Sequence, residues 1–280
     1  MERITSRQNA IVKRFRELAR TSRGGPRATH ATAAGHAAEV LLDGEHLVQE
    51  ALACDIPIEV AAFSDKQLAN ALSPVSRLAR DVKKRGGRVM TVGDQVLAAI
   101  SPVQHPSGVV AIGRARPSDV GVVMSGLSDL PVTLVLAGLQ DPGNVGAIVR
   151  AAAAFGASGI VAIEGSANPF GWKALRGAMG ATFRVPVASR GTMTDVVAAA
   201  KKKNVRLVAA VPRGGTPLPQ LNLRTATAVV LGAEGAGLPA EAMTAMQETV
   251  TIPMQKPVES LNVAVAAALI LYEAMRQRQH

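Results

Sequence analysis

The stretch PVTLVLAGLQDPGNVGAIVRAAAAFGASGIVAIEG, residues 131–165, decides the fold. VTLVLAG (132–138) is apolar almost without interruption. A strand buried on both faces reads this way, whereas a half-exposed strand alternates. Pro142 and Gly143 turn the chain, and Asn144 stands where a helix N-cap would. VGAIVRAAAAFG (145–156) then repeats apolar residues at helical spacing until Gly156 ends it, and GIVAIE (159–164) is a second buried strand. A strand–helix–strand unit closes as a parallel pair with the helix across one face.

The same alternation runs on toward the C-terminus. A loop with Pro169, Gly171 and Trp172 leads to KALRGAMGA; FRVPV (183–187) reads as a strand and MTDVVAAAKKK as a helix. RLVAAV (206–211), ATAVVLG (226–232) and TVTIP (249–253) are further strands, and LNVAVAAALILYEAMRQ is the terminal helix. The expected fold class is α/β, with a parallel sheet covered on both faces and its ligand loops beyond the strand C-termini. On the N-terminal side, residues 40–115 alternate short strands and helices and form a smaller α/β domain. Residues 8–20 read as a basic helix with Ile11, Phe15 and Leu18 on one face, and 21–36 as a linker broken by Gly24, Gly25 and Pro26. The predicted division is a basic helix and linker over 1–36, a small domain over 37–116, a linker over 117–130 and the parallel-sheet domain over 131–280.

Hydrophobic residues make up 48% of the chain but aromatics only 2%, so Ala, Val, Leu and Ile must fill the cores. One cysteine, Cys54, excludes an intramolecular disulfide and fits a cytoplasmic protein. Cys54 also leaves a Cys-based zinc site short of ligands, and His30, His36, His46, His105 and His280 are too scattered to form a metal site. The N-terminus lacks the apolar core of a signal peptide, and no apolar run reaches membrane-spanning length. The net charge is +10, and residues 1–27 carry eight Arg and Lys against Glu2 and Glu17. Such a segment suits a polyanion, because each phosphate contact releases counterions. Arg3, Arg7, Lys13, Arg14, Arg16 and Arg20 are its candidate phosphate contacts, although a solvated tail would carry the same charge.

Three loops carry the chemistry. In QDPGNVGAIVR (140–150), Arg150 is a charge set in an otherwise apolar helix. A snorkelling surface arginine would look the same. In LGAEGAGLP (231–239), three glycines in six residues let backbone approach a ligand. Their spacing is G-x-x-G-x-G rather than the dinucleotide-binding G-x-G-x-x-G, and Glu234 would repel a pyrophosphate, which argues against a nicotinamide dehydrogenase. In IPMQKPVESLNVAVAAALILYEA (252–274), Pro253 and Pro257 stiffen a loop ending at Ser260, a plausible helix cap, with Glu259 and Asn262 beside it.

In order, N-x-G-x-x-x-R (144–150), L-G-x-E-G-x-G-L (231–238) and I-P-M-x(4)-E-S-L-N-V-x-V-A (252–266) resemble the three signature motifs of the SpoU (TrmH-type) ribose methyltransferases of the SPOUT class. The resemblance covers 130–275. Residues 37–115, with VLLDGEHLVQEAL and HPSGVVAIG, resemble the ribosomal-protein-like RNA-binding domain that often precedes that catalytic domain. Many members carry a serine where this chain has Ala178.

The resemblance implies a deep trefoil knot in the C-terminal domain, a homodimer with the terminal helix in its interface, and S-adenosylmethionine as cofactor. Leu136, Ala137, Gly138, Leu231, Gly232, Ala233, Ile252, Pro253, Met254, Leu261 and Asn262 match its cofactor-binding positions. It implies transfer of methyl to a ribose 2′-hydroxyl of RNA, ribosomal RNA being favoured over transfer RNA. A catalytically silent RNA-binding relative is the further alternative. Arg150 matches the activating residue and would also hold RNA, with Asn144, Glu234, Ser260 and Asn262 shaping the site.

Overall fold

The structure, a computed structural model, describes residues 2–21, 37–126, 130–233 and 237–279. The chain forms two compact units, Met1–Arg116 with Phe170–Phe183, and Pro117–Pro169 with Arg184–His280.

The first unit begins with strand β1 (Glu2–Ile4) and helix α1 (Ala10–Thr21). It continues through β2 (Ala38–Asp43), α2 (Glu45–Ala53), β3 (Ile58–Ser64), α3 (Asp65–Leu68), α4 (Pro74–Lys84), β4 (Arg88–Val92), α5 (Asp94–Ile100) and β5 (Val109–Ala115). The sheet order is β1-β4-β3-β5-β2; β1, β4 and β3 run parallel, while β5 is antiparallel to β3 and β2. The amphipathic reading of α1 holds: Val12 and Phe15 are fully buried, and Ile11 and Leu18 pack against the same core of Met90, Val92 and Ile112. The edge strand β1 has no signature in its polar sequence. It forms because Ile4 drops into that core while Glu2–Ile4 pairs with Met90–Val92.

The second unit opens with α6 (Val120–Ser125), inside the stretch read as a linker. Val123 and Met124 are fully buried in its core, so this segment packs rather than merely connects. Then follow β6 (Val132–Leu136), α7 (Pro142–Ala154) and β7 (Gly159–Ile163). Helix α8 (Trp172–Ala178) comes next in sequence but belongs to the first unit. There the Trp172 indole joins the α1 core and donates to the Ala19 carbonyl at 3.1 Å, and Arg176 pairs with buried Asp43 at 3.5 Å.

The rest of the second unit is β8 (Val187–Gly191), α9 (Met193–Lys203), β9 (Arg206–Ala210), β10 (Thr216–Pro217), β11 (Thr227–Leu231), α10 (Ala240–Met243), β12 (Glu248–Thr251) and α11 (Val263–Arg278). The strand expected over 183–187 starts only at Val187; residues 181–183 form a turn of 3₁₀ helix. Pro186 cannot supply a ladder donor, and pairing begins immediately after it. All seven strands are parallel, in the order β10-β12-β9-β11-β6-β7-β8. From β12, one strand in from the β10 edge, the chain returns as α11, which packs on α7 and β6. Strands β6 and β11 are wholly buried, as their near-continuous apolar sequences, broken only by Thr133 and Thr227, imply. No described helix is long and apolar enough to cross a membrane.

Candidate active site

A parallel sheet sends every strand's C-terminus to one edge, so the loops after β6, β11 and β12 leave the second unit on the same side. Beyond β6, the Ala137 N–H donates to the Leu231 carbonyl at 2.9 Å, drawing the first loop to the second. Gly138 is left-handed at φ 77°, and a side chain there would lie 3.5 Å from the Ala233 methyl. Gly232 faces a stricter limit: a Cβ on it would stand 2.5 Å from the Gly237 carbonyl carbon. The chain doubles back there, with Ala233 bridging to Gly237. Glu234, assigned a catalytic role by resemblance, lies outside the described residues.

Helix α7 is capped by Asp141, whose carboxylate receives the Gly143 and Asn144 N–H groups at 3.1 and 3.2 Å. Asn144 is therefore inside the first turn and not the cap. Pro142 can follow the cap because a helix's first N–H has no intrahelical partner. The Asn144 side chain is left to the third loop, where its Oδ1 accepts from Asn262 Nδ2 at 3.0 Å. Asn262 also caps α11, its Oδ1 accepting from Ala264 and Val265. Ser260, the expected cap, sits two residues too early and is exposed.

Arg150 stands on the exposed face of α7 with Gly143 and Ala147, and its guanidinium has no hydrogen bond or ion pair among the described residues. Ile252 and Met254 are half-buried just past β12, Pro253 and Leu261 are exposed, and Glu259 pairs with Arg213 at 3.3 Å. Thus the 136–138 and 231–233 loops meet, and Asn144 meets Asn262. Ile252, Pro253 and Met254 leave the same sheet edge two strands from β11. Ala178 is fully buried on α8, in the first unit.

Sequence reasoning missed Ser166, after β7. Its hydroxyl holds the first loop, accepting from the Gly138 and Leu139 N–H groups and donating to the Leu136 carbonyl. A lone serine in a loop gives no signal of this. Of the basic residues near the N-terminus, Arg3, Arg7, Lys13, Arg16 and Arg20 are exposed. Arg3 is paired with Asp65 at 3.0 Å, and the Arg14 guanidinium is clamped between Glu39 and Glu59, both at 2.5 Å. Among the described residues no cluster of three or more His, Cys, Asp or Glu could hold a metal ion.

The cofactor test is local. Small residues at 137–138 and 232–233 keep side-chain bulk away from the loop backbone at the sheet edge, and half-buried Ile252 and Met254 add apolar surface after β12. That combination fits an adenosine-like ligand.

Residues 131–272 match the SpoU rRNA methylase family, and 41–117 match the RNA 2′-O ribose methyltransferase substrate-binding family. The chain belongs to the SpoU rRNA methylase family. It is 31% identical to an uncharacterized tRNA/rRNA methyltransferase of Synechocystis, over 98% of this chain and 94% of the relative. It is 33% identical to the 23S rRNA (guanosine-2′-O-)-methyltransferase RlmB of Bordetella pertussis, over 78% and 87%. The AdoMet-bound rRNA methyltransferase from Sinorhizobium meliloti superposes with a TM-score of 0.82 at 28% identity, covering 98% of this chain and 97% of that one.

Proposed function

We propose that this protein methylates a ribose 2′-hydroxyl of ribosomal RNA, using S-adenosylmethionine. The observation that carries the reading is the meeting of the three motif loops at one sheet edge, with Asn262 tying the third to the first. Relatives named for 23S rRNA favour ribosomal over transfer RNA.

S-adenosylmethionine supplies, when bound, a methyl carbon made electrophilic by its sulfonium. Leu136, Ala137, Gly138, Leu231, Gly232, Ala233, Ile252, Pro253, Met254, Leu261 and Asn262 are the residues assigned to hold it. The chain's remaining task is to make a 2′-hydroxyl nucleophilic. Arg150 does this as an electrostatic partner, holding a neighbouring phosphate and the charge growing on the 2′-oxygen. A guanidinium stays protonated at neutral pH and is a poor proton acceptor, so the 2′-hydroxyl proton passes to solvent as the methyl leaves sulfur for oxygen. Asn144, Asn262, Ser260 and Glu234 shape the ribose site, and a 2′-hydroxyl target selects RNA over DNA.

Residues 37–116 serve as the substrate-binding domain and 131–280 as the catalytic domain, α6 of the intervening 117–130 packing with the latter and α8 with the former. Arg3, Arg7, Lys13, Arg14, Arg16 and Arg20 form the basic RNA-facing segment, Arg3 and Arg14 from within their ion pairs and the others directly. The return of the chain from β12 back to α7 and β6 as α11 supports a trefoil knot. Val265, Leu269 and Tyr272 form an exposed apolar stripe on α11, which supports a homodimer. Ribosomal RNA as substrate implies a cytoplasmic protein.

The test is tritium transfer from labelled S-adenosylmethionine to ribosomal and transfer RNA from a strain lacking the protein. Label in ribosomal RNA that survives alkaline hydrolysis as a protected dinucleotide is expected. Arg150→Ala should lower the rate about 10²–10³-fold, as loss of an oxyanion donor does. No label and no cofactor binding would overturn the proposal.

A further inference from the structure

The loop after β6 is Leu-Ala-Gly-Leu and has no polar side chain with which to hold its own shape. Three of its main-chain groups converge instead on one hydroxyl. Ser166 Oγ accepts from the Gly138 N–H at 2.9 Å and the Leu139 N–H at 3.3 Å, and donates to the Leu136 carbonyl at 2.9 Å. A serine hydroxyl has one proton and two lone pairs, so this loop uses its whole hydrogen-bonding capacity. The next residue adds a second clasp, the Ala167 N–H donating to the Leu139 carbonyl at 2.7 Å. On the opposite side the Ala137 N–H is fixed to Leu231.

The consequence is a sorting of polarity. The N–H groups of Ala137, Gly138 and Leu139 are all engaged within the protein. The carbonyls of Ala137 and Gly138 receive no hydrogen bond among the described residues. The loop therefore offers acceptors and withholds donors. Acceptors suit an amine, a hydroxyl or a positive charge; a pyrophosphate needs the N–H groups that Ser166 has taken.

We infer that Ser166 is the positioning residue that turns this loop toward a cationic, amine-bearing nucleoside and away from a phosphate-bearing one. The inference rests on the cofactor reading above, in that S-adenosylmethionine is such a nucleoside. Ser166 does not touch the reacting atoms; it acts through the 136–139 backbone.

The experiment compares the full chain with Ser166→Ala, Ser166→Thr and Ser166→Val. Thr and Val share a shape and differ by the hydroxyl, so this pair decides the matter even if the Ala variant does not fold. Amide hydrogen exchange at Gly138 and Leu139, without ligand, should accelerate about tenfold or more in Ala and Val but not in Thr. S-adenosylmethionine binding, measured by calorimetry, should weaken about tenfold in Ala and Val, and stay within about threefold of the parent in Thr. In methyl transfer the KM for S-adenosylmethionine should rise while kcat at saturation holds within about twofold, a split that general loss of fold would not produce. Unchanged exchange, or equal binding by the Val and Thr variants, overturns the inference. If the parent chain binds no S-adenosylmethionine, the cofactor reading fails, and the exchange result still judges whether Ser166 holds the loop.

Discussion

Asn262 joins the third motif loop to the first: its Nδ2 donates to Asn144 Oδ1 at 3.0 Å across 118 residues of sequence, while its Oδ1 caps α11. One amide thus starts the terminal helix and fixes its start against α7. Asn262→Ala removes both, and should cost about 1 kcal/mol for the cap alone. Asn144→Ala removes the bridge and leaves the α11 cap in place. A double-mutant cycle on denaturation midpoints should give a coupling of roughly 0.5 kcal/mol or more between the two. Strict additivity would mean that the bridge does not form in solution.

Gly232 separates space from conformation. Its φ is not left-handed, so alanine is allowed by the backbone, yet the new Cβ would sit 2.5–2.8 Å from main-chain atoms of Gly237 and Leu238. Backbone cannot yield as a side-chain tip can, so Gly232 and the Gly237–Leu238 main chain must move apart. Gly232→Ala is expected to abolish S-adenosylmethionine binding in calorimetry while lowering Tm by only a few degrees. Retained binding would show that the turn is not part of the cofactor site.

The legibility of this chain tracks how local each signal is. Buried parallel strands announce themselves, and β6, β7, β9 and β11 fall where near-continuous apolar runs put them. Motifs gave the loops, because Gly232 and Asn262 sit in dense, ordered patterns. What was not legible depends on partners distant in sequence. Asp141 rather than Asn144 caps α7 because the choice turns on which carboxylate or amide the rest of the fold claims, and Asn144 is claimed by Asn262. Strand β1 exists only because β4 offers an edge, and Ser166 matters only because β6 ends beside it.

Arg14 illustrates the same point among the basic residues, and yields a pH prediction. Hydrogen bonds from Arg14, aided by Arg114, hold the Glu59 carboxyl well below its ordinary 4.5, at about 2. A depressed carboxylate stabilises the fold above its unfolded pKa, and the contribution is lost as pH falls from about 4.5 through 2. Glu59 is more than a third exposed, so screening limits the effect to about 0.5–1 kcal/mol. Glu59→Gln should destabilise the chain by that amount at pH 7, and the difference should vanish near pH 2. In Arg14→Ala, carbon NMR should show the Glu59 pKa rising, with Arg114 retaining part of the shift.

Trp172 is the chain's only tryptophan, so its fluorescence reports one place: the core that α8 shares with α1. Its indole N–H reaches the Ala19 carbonyl in the last turn of α1, where a helix has no internal donors left. Trp172→Phe keeps most of the packing and loses this bond, for an expected cost of about 1 kcal/mol. Trp172→Ala adds a cavity and should cost about 3–5 kcal/mol. Circular dichroism melts would rank the two; equal losses would show that the hydrogen bond, not the packing, dominates.

The terminal helix poses the question of assembly. Val265, Leu269 and Tyr272, spaced four and three residues apart, lie on one face and are 49, 40 and 50% exposed. Tyr272 already stacks edge-to-face on Phe155 of the same chain, so changing it would disturb the monomer as well. Leu269 is the cleaner probe. In a two-fold dimer each substitution acts twice, and burying one leucine is worth about 1.5–3 kcal/mol. Leu269→Arg should therefore weaken dimerisation by at least about 100-fold and give a monomer in micromolar sedimentation runs, with the monomer's Tm nearly unchanged. A Leu269→Arg variant that sediments as the parent does would place the dimer contact elsewhere, and a parent that is itself monomeric would leave the stripe without the partner proposed for it.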